Sequence, residues 1–241
     1  MTPFEAELTA LASEIAERPV QMHCNAAEEW SALAAETGFE ATSVWGYVTF
    51  TPTVNGWAPG NEAQLSDAAC RYADAFWRNG SASKPARTCR VGTKVERRVE
   101  HRVRRVRVRT KAGFVTRRKR VPVQVRVEVP VVDLCPGYVE ERLFALQTIA
   151  HESVHLSGVE DEAVAECYGM QFLAWVAWKL GAPDALAREM AADYWREYYV
   201  VERPGTPYFD EGCRDGGVLD LAPDRTGWPA PDAIRGAAAF A

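Results

Sequence analysis

The chain predicts an α+β fold, with a helical core beside a small sheet and a long basic β-hairpin inserted between them. Three observations predict it. Through much of the two arms at 95–110 and 114–129 valines alternate with charges at period two, the pattern of strands. The run SVWGYVTF at 43–50 is β-branched and aromatic and supplies a further strand. From Tyr138 onward apolar residues recur at helical spacing.

Taken in order, residues 4–17 read as an amphipathic helix ending near Arg18-Pro19. TPTVNGWAPGN at 51–61 reads as a turn-rich loop after the 43–50 strand. Ser66 caps a helix over 67–79, with Cys70, Ala73 and Trp77 at helical spacing, and Gly80 stops it before a linker at 80–85. The hairpin arms span 95–110 and 114–129, with Gly113 at the turn, Pro122 on an exposed edge, and one valine face opposite one basic face. Helices follow over 138–156, 160–180 and 183–199, the first two separated by Gly158. The Gly-, Pro- and Asp-rich residues after Pro204 read as an extended segment. The organisation expected is an N-terminal α/β part of the body (1–86), the basic hairpin insert (87–135), the metal-binding helices (136–200) and the extended C-terminal segment (201–241).

Composition is that of an ordinary globular protein, 47% hydrophobic and 25% charged. The longest apolar stretch, FLAWVAW at 172–178, is too short to cross a bilayer, so no transmembrane segment is expected. The N-terminal residues carry acids and no basic region, unlike a signal peptide, which makes the cytoplasm the default. Six cysteines leave an oxidising compartment open, and Cys89 with Cys135, which bracket the insert, form the first candidate bridge. Charge is divided sharply. Between Arg87 and Glu128 stand 16 Lys/Arg and three Glu, a net +13, while the other residues carry −18 of the chain's total of −5. Residues 87–128 could therefore contact a polyanion such as nucleic acid or a cell-wall polymer, or could neutralise the acidic body and discourage edge-to-edge pairing.

The densest chemistry lies in IAHESVHLSGVEDEAVAECYG at 149–169. His151 and His155, four apart on a helix, project from one face and suit a single Zn²⁺. Glu152, one step round, could hold a metal-polarised water as general base. A zinc site needs a third ligand, and the turn at 156–158 returns the chain so that Glu162 and Glu166 share one face of the next helix. Glu162 is assigned as that ligand and Glu166 as the acceptor that orients a ligand histidine; the reverse assignment stays open. Gly169, on the same face, would let the two helices approach closely. Tyr168, Tyr194 and Tyr208 are candidate oxyanion stabilisers, and nothing in the sequence ranks them. His23 beside Cys24 has no second ligand at short spacing and reads as an ordinary residue.

HESVH matches the His-Glu-x-x-His signature of the zincin metallopeptidases, and DEAVAECYG resembles the Asn/Asp-Glu-x-x-x-Asp/Glu helix of the glutamate-ligand, thermolysin-like branch (gluzincins). The resemblance covers about 30 residues. The link between its two motifs is shorter than in thermolysin and similar to that of compact members of the branch. It implies a zincin-like metal core, a peptide or protein substrate, Glu162 as ligand and Glu166 as histidine support, and hydrolysis by a water that Glu152 deprotonates. The alternative reading is a non-catalytic, metal-stabilised protein that uses the hairpin to bind a polyanion. A purely structural zinc would need a fourth ligand, and none is evident.

Overall fold

The computed structural model describes residues 1–42, 44–54, 56–79, 87–110 and 113–230. The chain divides into two compact units, Met1–Pro85 with Pro136–Ala241, and Ala86–Cys135. The expected linker at 80–85 with its stop at Gly80, and the hairpin tip at 111–112, lie outside the described residues. Helices and small sheets together make the class α+β.

In the larger unit, helix α1 (Pro3–Ala16) opens with a capping box: the Glu5 amide donates to Thr2 Oγ1 at 3.1 Å and the Thr2 amide donates to Glu5 Oε2 at 2.6 Å. Phe4, Leu8, Leu11 and Ile15 form its buried face. Three strands build the sheet in the order β1-β3-β2 (Gln21–Cys24, Gly56–Leu65, Gly46–Thr53), with β1 parallel and β2 antiparallel to β3. Helix α2 (Ala27–Thr37) lies between β1 and β2 in sequence.

The loop expected at 51–61 is in fact the closing half of the β2–β3 hairpin. Gly56, at φ +119°, makes the turn, pairing with Thr53. Pro59 is tolerated because β1 pairs only with Glu62–Leu65, so β3 has a single neighbour there.

Helix α3 (Asp67–Asn79) begins after Ser66, whose Oγ accepts the Ala69 amide at 3.2 Å. A short turn, α4 (Pro136–Tyr138), and a π-helical stretch (Val139–Phe144) lead into α5 (Ala145–Leu156). Every residue of α5 except Thr148 is buried, because α1, α3, β2, β3 and α6 (Glu162–Lys179) all pack on it. The single apolar stripe expected for this helix is thus too modest a description. Helix α7 (Asp184–Asp193) runs on through a second π-helical stretch (Tyr194–Tyr199) into α8 (Val200–Glu202). Beyond it, residues 203–230 are a succession of turns and bends, not the extended segment expected. They carry many Gly, Pro and Asp residues, which close tight turns rather than pair as strands.

The smaller unit is one antiparallel pair, β4 (Thr88–Thr110) and β5 (Gly113–Leu134), with a single register irregularity between Arg90 and Gly92. The register overturns the expected valine face. Val95, Val99 and Val103 stand opposite Glu128, Gln124 and Arg120, while Val121, Val123 and Val125 stand opposite Arg102, Glu100 and Arg98. Each face therefore mixes valine with charge.

Three disulfides join Cys24 to Cys70, Cys89 to Cys135 and Cys167 to Cys213, with Cα separations of 5.8, 5.0 and 5.7 Å. The second is the bridge suggested by the bracketing cysteines. Three such bridges point to an oxidising compartment rather than the cytoplasm taken as default. No helix among the described residues is long and apolar enough to cross a membrane.

Candidate metal centre

The centre is assembled by two helices joined through a tight turn. Gly158, at φ +110°, reverses the chain after α5. Asp161 then starts α6, its side chain accepting the Val164 amide at 3.0 Å. Glu162 falls in the first turn of α6, beside the helix whose last two turns carry His151 and His155. Gly169 permits the approach: a Cβ there would lie 3.0 Å from both the amide nitrogen and Cα of His151.

Among the described residues, His151, His155 and Glu162 form the group that could hold a metal ion. The two Nε2 atoms are 2.9 Å apart, and Glu162 Oε2 lies 3.1 Å from His151 Nε2 and 3.3 Å from His155 Nε2. Neighbouring donors of a tetrahedral zinc with bonds near 2.1 Å are about 3.4 Å apart, so the triangle is close to that size.

The outer partners fix which atoms carry protons. His151 Nδ1 meets Glu166 Oε2 at 3.1 Å, and His155 Nδ1 meets the Val159 carbonyl at 2.6 Å. Both partners are acceptors, so each Nδ1 donates and each neutral ring turns a lone pair inward from Nε2. Two lone pairs and a carboxylate oxygen then converge on one point, an arrangement that calls for a cation between them.

Glu166 is fully committed elsewhere. Its Oε2 also accepts Gln147 Nε2 at 3.2 Å; its Oε1 accepts Arg203 Nε at 2.9 Å and the Tyr194 hydroxyl. With both oxygens engaged it is the support and Glu162 the carboxylate that faces the imidazoles. Arg203 in turn donates to the Tyr194 hydroxyl at 3.2 Å and lies over the rings of Tyr198 and Tyr208.

The electrostatics follow. Burial lowers the His151 imidazole, but the Glu162 and Glu166 carboxylates outweigh it and raise its pKa to about 10. Burial raises Glu166, yet the His151 hydrogen bond and the Arg203 charge hold it down at about 2. Glu162 is likewise pushed up by burial and drawn further down, below the usual carboxylate range, by its two imidazoles. Glu152 alone moves the other way, raised chiefly by burial.

Glu152 is buried, and its Oε2 has no hydrogen-bond partner among the described residues. It packs against the start of β2, where a Cβ on Gly46 would come within 2.5 Å of its Cγ and Oε1. Glu152, His151 and Glu166 share a cleft of about 170 Å³ with Gly46, Arg203 and Tyr208. Phe50 of β2 stands edge-on to His155, ring centroids 5.7 Å apart.

Of the three tyrosines left unranked, Tyr208 lines this cleft with its ring 6.0 Å from that of His151, whereas Tyr194 is spent on Glu166 and Tyr168 does not line it. His23 pairs with Glu5 at 3.3 Å on β1 and takes no part. Sequence reasoning missed Arg203, Gly46 and the Val159 carbonyl. Arg203 lies 37 residues from the carboxylate it holds, with no periodicity to flag it, and a backbone carbonyl leaves no signature at all. Comparison of the chain with protein-family models, with curated proteins and with solved structures gives no match.

Proposed function

We propose that the chain is a zinc-dependent metallopeptidase of the gluzincin type with a zincin-like core. The observation that carries this reading is the convergence of three atoms able to ligate a metal, His151 Nε2, His155 Nε2 and Glu162 Oε2, beside a buried carboxylate whose Oε2 has no partner among the described residues. The donor set of two imidazoles and one carboxylate suits Zn²⁺, and three protein ligands leave a coordination position open, the mark of catalytic rather than structural sites. When bound, zinc supplies Lewis acidity that polarises a water and a substrate carbonyl.

The chain's own groups do the remaining work. Glu152, raised in basicity by burial while the two neighbouring imidazoles favour its ionised form, takes the water's proton and delivers it to the leaving amine. Glu166 fixes the His151 tautomer and adds basicity to its Nε2; the Val159 carbonyl does the same for His155. Tyr208, at the cleft wall, is the phenol placed to donate to a developing oxyanion.

The test is Glu152→Gln in zinc-loaded protein, assayed on a randomised peptide pool by mass spectrometry. Zinc should remain bound at one equivalent while cleavage falls about 10²–10⁴-fold, the usual contribution of a general base. Undiminished cleavage in that variant, or no cleavage of any peptide by the zinc-loaded parent, would reject the reading.

A further inference from the structure

The strand register sorts the ribbon's charge onto two unlike faces. From Thr93 to Thr110 it runs without a bulge, so residues paired across the strands share a face and successive pairs alternate. One face carries Lys94, Glu96, Arg98, Glu100 and Arg102 opposite the β5 valines at 121–129. As far as Arg102 this face is satisfied internally, and beyond it Arg104 stands exposed opposite Lys119. Glu96 pairs with Lys94 at 3.1 Å and Arg98 at 3.0 Å, Glu100 pairs with Arg102 at 2.9 Å, and the valines lie half-buried opposite these pairs.

The other face is not. It presents Arg97, Arg105, Arg107, Arg118, Arg120 and Arg126, all exposed, and none has a carboxylate within ion-pair distance among the described residues. Arg97 stands directly opposite Arg126, and Arg105 opposite Arg118. Like charges in such positions destabilise the pairing. The one acid described on this face from Thr93 onward, Glu128, sits opposite Val95 near the base. Between the arginines stand bare apolar side chains: Val95, Val99 and Val103 are 60%, 59% and 60% exposed, and Phe114, with Arg107 over its ring at 5.1 Å, is 61% exposed.

We propose that this face binds an anionic lipid surface. Guanidinium forks match phosphate oxygens bidentately and discharge the repulsion within the ribbon. The interleaved valines and Phe114 decide between polyanions. At a membrane they enter the boundary between headgroups and acyl chains and leave water. A nucleic acid backbone or a soluble wall polymer offers them nothing, and base stacking would call for more aromatics than Phe114. The three disulfides agree, since an oxidising compartment is bounded by lipid phosphates and poor in nucleic acid. The inference rests on residues 86–135 alone and is independent of the metal centre.

The experiment uses the full oxidised chain, with each variant checked for its circular dichroism and for the absence of free thiols. Co-sedimentation is measured with vesicles of phosphatidylglycerol and phosphatidylcholine (3:7) and of phosphatidylcholine alone. The expected result is binding to the first and not the second, lost about a hundredfold in R105Q/R118Q/R120Q, since each basic residue near such a surface contributes about 1 kcal/mol, a factor of about five. R98Q/R102Q, on the ion-paired face, should change binding by less than about threefold, and V99S/F114S should weaken it at unchanged charge. Equal binding to both vesicle types, equal loss from both arginine sets, or tighter binding of a 30-nucleotide single strand than of the anionic vesicles would each overturn the proposal.

Discussion

His151 donates its Nδ1 proton to Glu166, and its Nε2 faces the Glu162 carboxylate and His155 Nε2, so the gap between them suits a proton or a metal ion. The two compete. In the metal-free protein the paired carboxylates hold the His151 pKa at about 10, so below that pH the site is already charged. Metal must therefore displace about one proton, and its apparent affinity should rise about tenfold for each pH unit between 6 and 8. Competition with a chromogenic zinc chelator measures this directly; an affinity flat across that range would mean that the imidazole is not a ligand. At this scale the sequence was informative. The i, i+4 histidines and the i, i+4 carboxylates of 151–166 put four side chains on two facing helix surfaces, and spacing alone allowed their order to be guessed. Spacing pointed to Glu162 as the inward carboxylate but left the reverse open, because the choice depends on Arg203 and Tyr194, which reach Glu166 from a segment far along the chain.

Gly46 shows what an element contributes that no motif records. Strand β2 begins against Glu152, and its absent side chain leaves room for the carboxylate. In Gly46→Ala the new Cβ would meet Glu152 Cγ at 2.5 Å, so the carboxylate must rotate away from the cleft. The backbone there has no positive φ, so the strand should persist. The expected outcome is zinc affinity within about twofold of the parent and peptide cleavage reduced at least about tenfold, a rise of about 1.4 kcal/mol in the barrier. Isothermal titration with zinc and the peptide-pool assay separate the two effects; retained cleavage would show that Glu152 need not occupy its observed position. Elements with strong periodicity, the hairpin arms and the helices from Tyr138, could be read from the sequence. The β2–β3 hairpin could not, because its outer half holds Pro52, Gly56, Pro59 and Gly60, residues that ordinarily signal loops. The ribbon's faces failed for another reason. Val95, Val99 and Val103 occupy odd positions, as do Val121 to Val129, and the register pairs odd with even positions, so these two valine rows fall on opposite sides. Periodicity gives the alternation within each arm but not the register between them.

Across the whole molecule, the bridges assign different tasks to the two units. Cys167–Cys213 ties the turn-rich tail to α6, next to the Glu166 that supports His151. Gln171 makes a second tie, donating to the Leu219 carbonyl at 2.8 Å and accepting the Leu221 amide at 2.8 Å. Ten residues before Cys213 the same tail supplies Arg203, and five before it Tyr208, so the bridge closes the segment that walls the cleft. Cys89–Cys135, by contrast, lies wholly within the ribbon unit. Replacing Cys167 and Cys213 by serine frees a 46-residue separation, which should cost about 2–4 kcal/mol. For a unit of this size that lowers the melting temperature by about 5–15 °C. Zinc affinity should also fall, by about three- to tenfold, as Arg203 loosens its hold on Glu166. Replacing Cys89 and Cys135 should leave zinc affinity unchanged, because no side chain of the centre belongs to that unit. Calorimetry and zinc titration on the two double variants decide the matter. A ribbon variant that lost as much zinc affinity as the tail variant would show that the metal centre depends on more of the chain than the unit that holds its ligands.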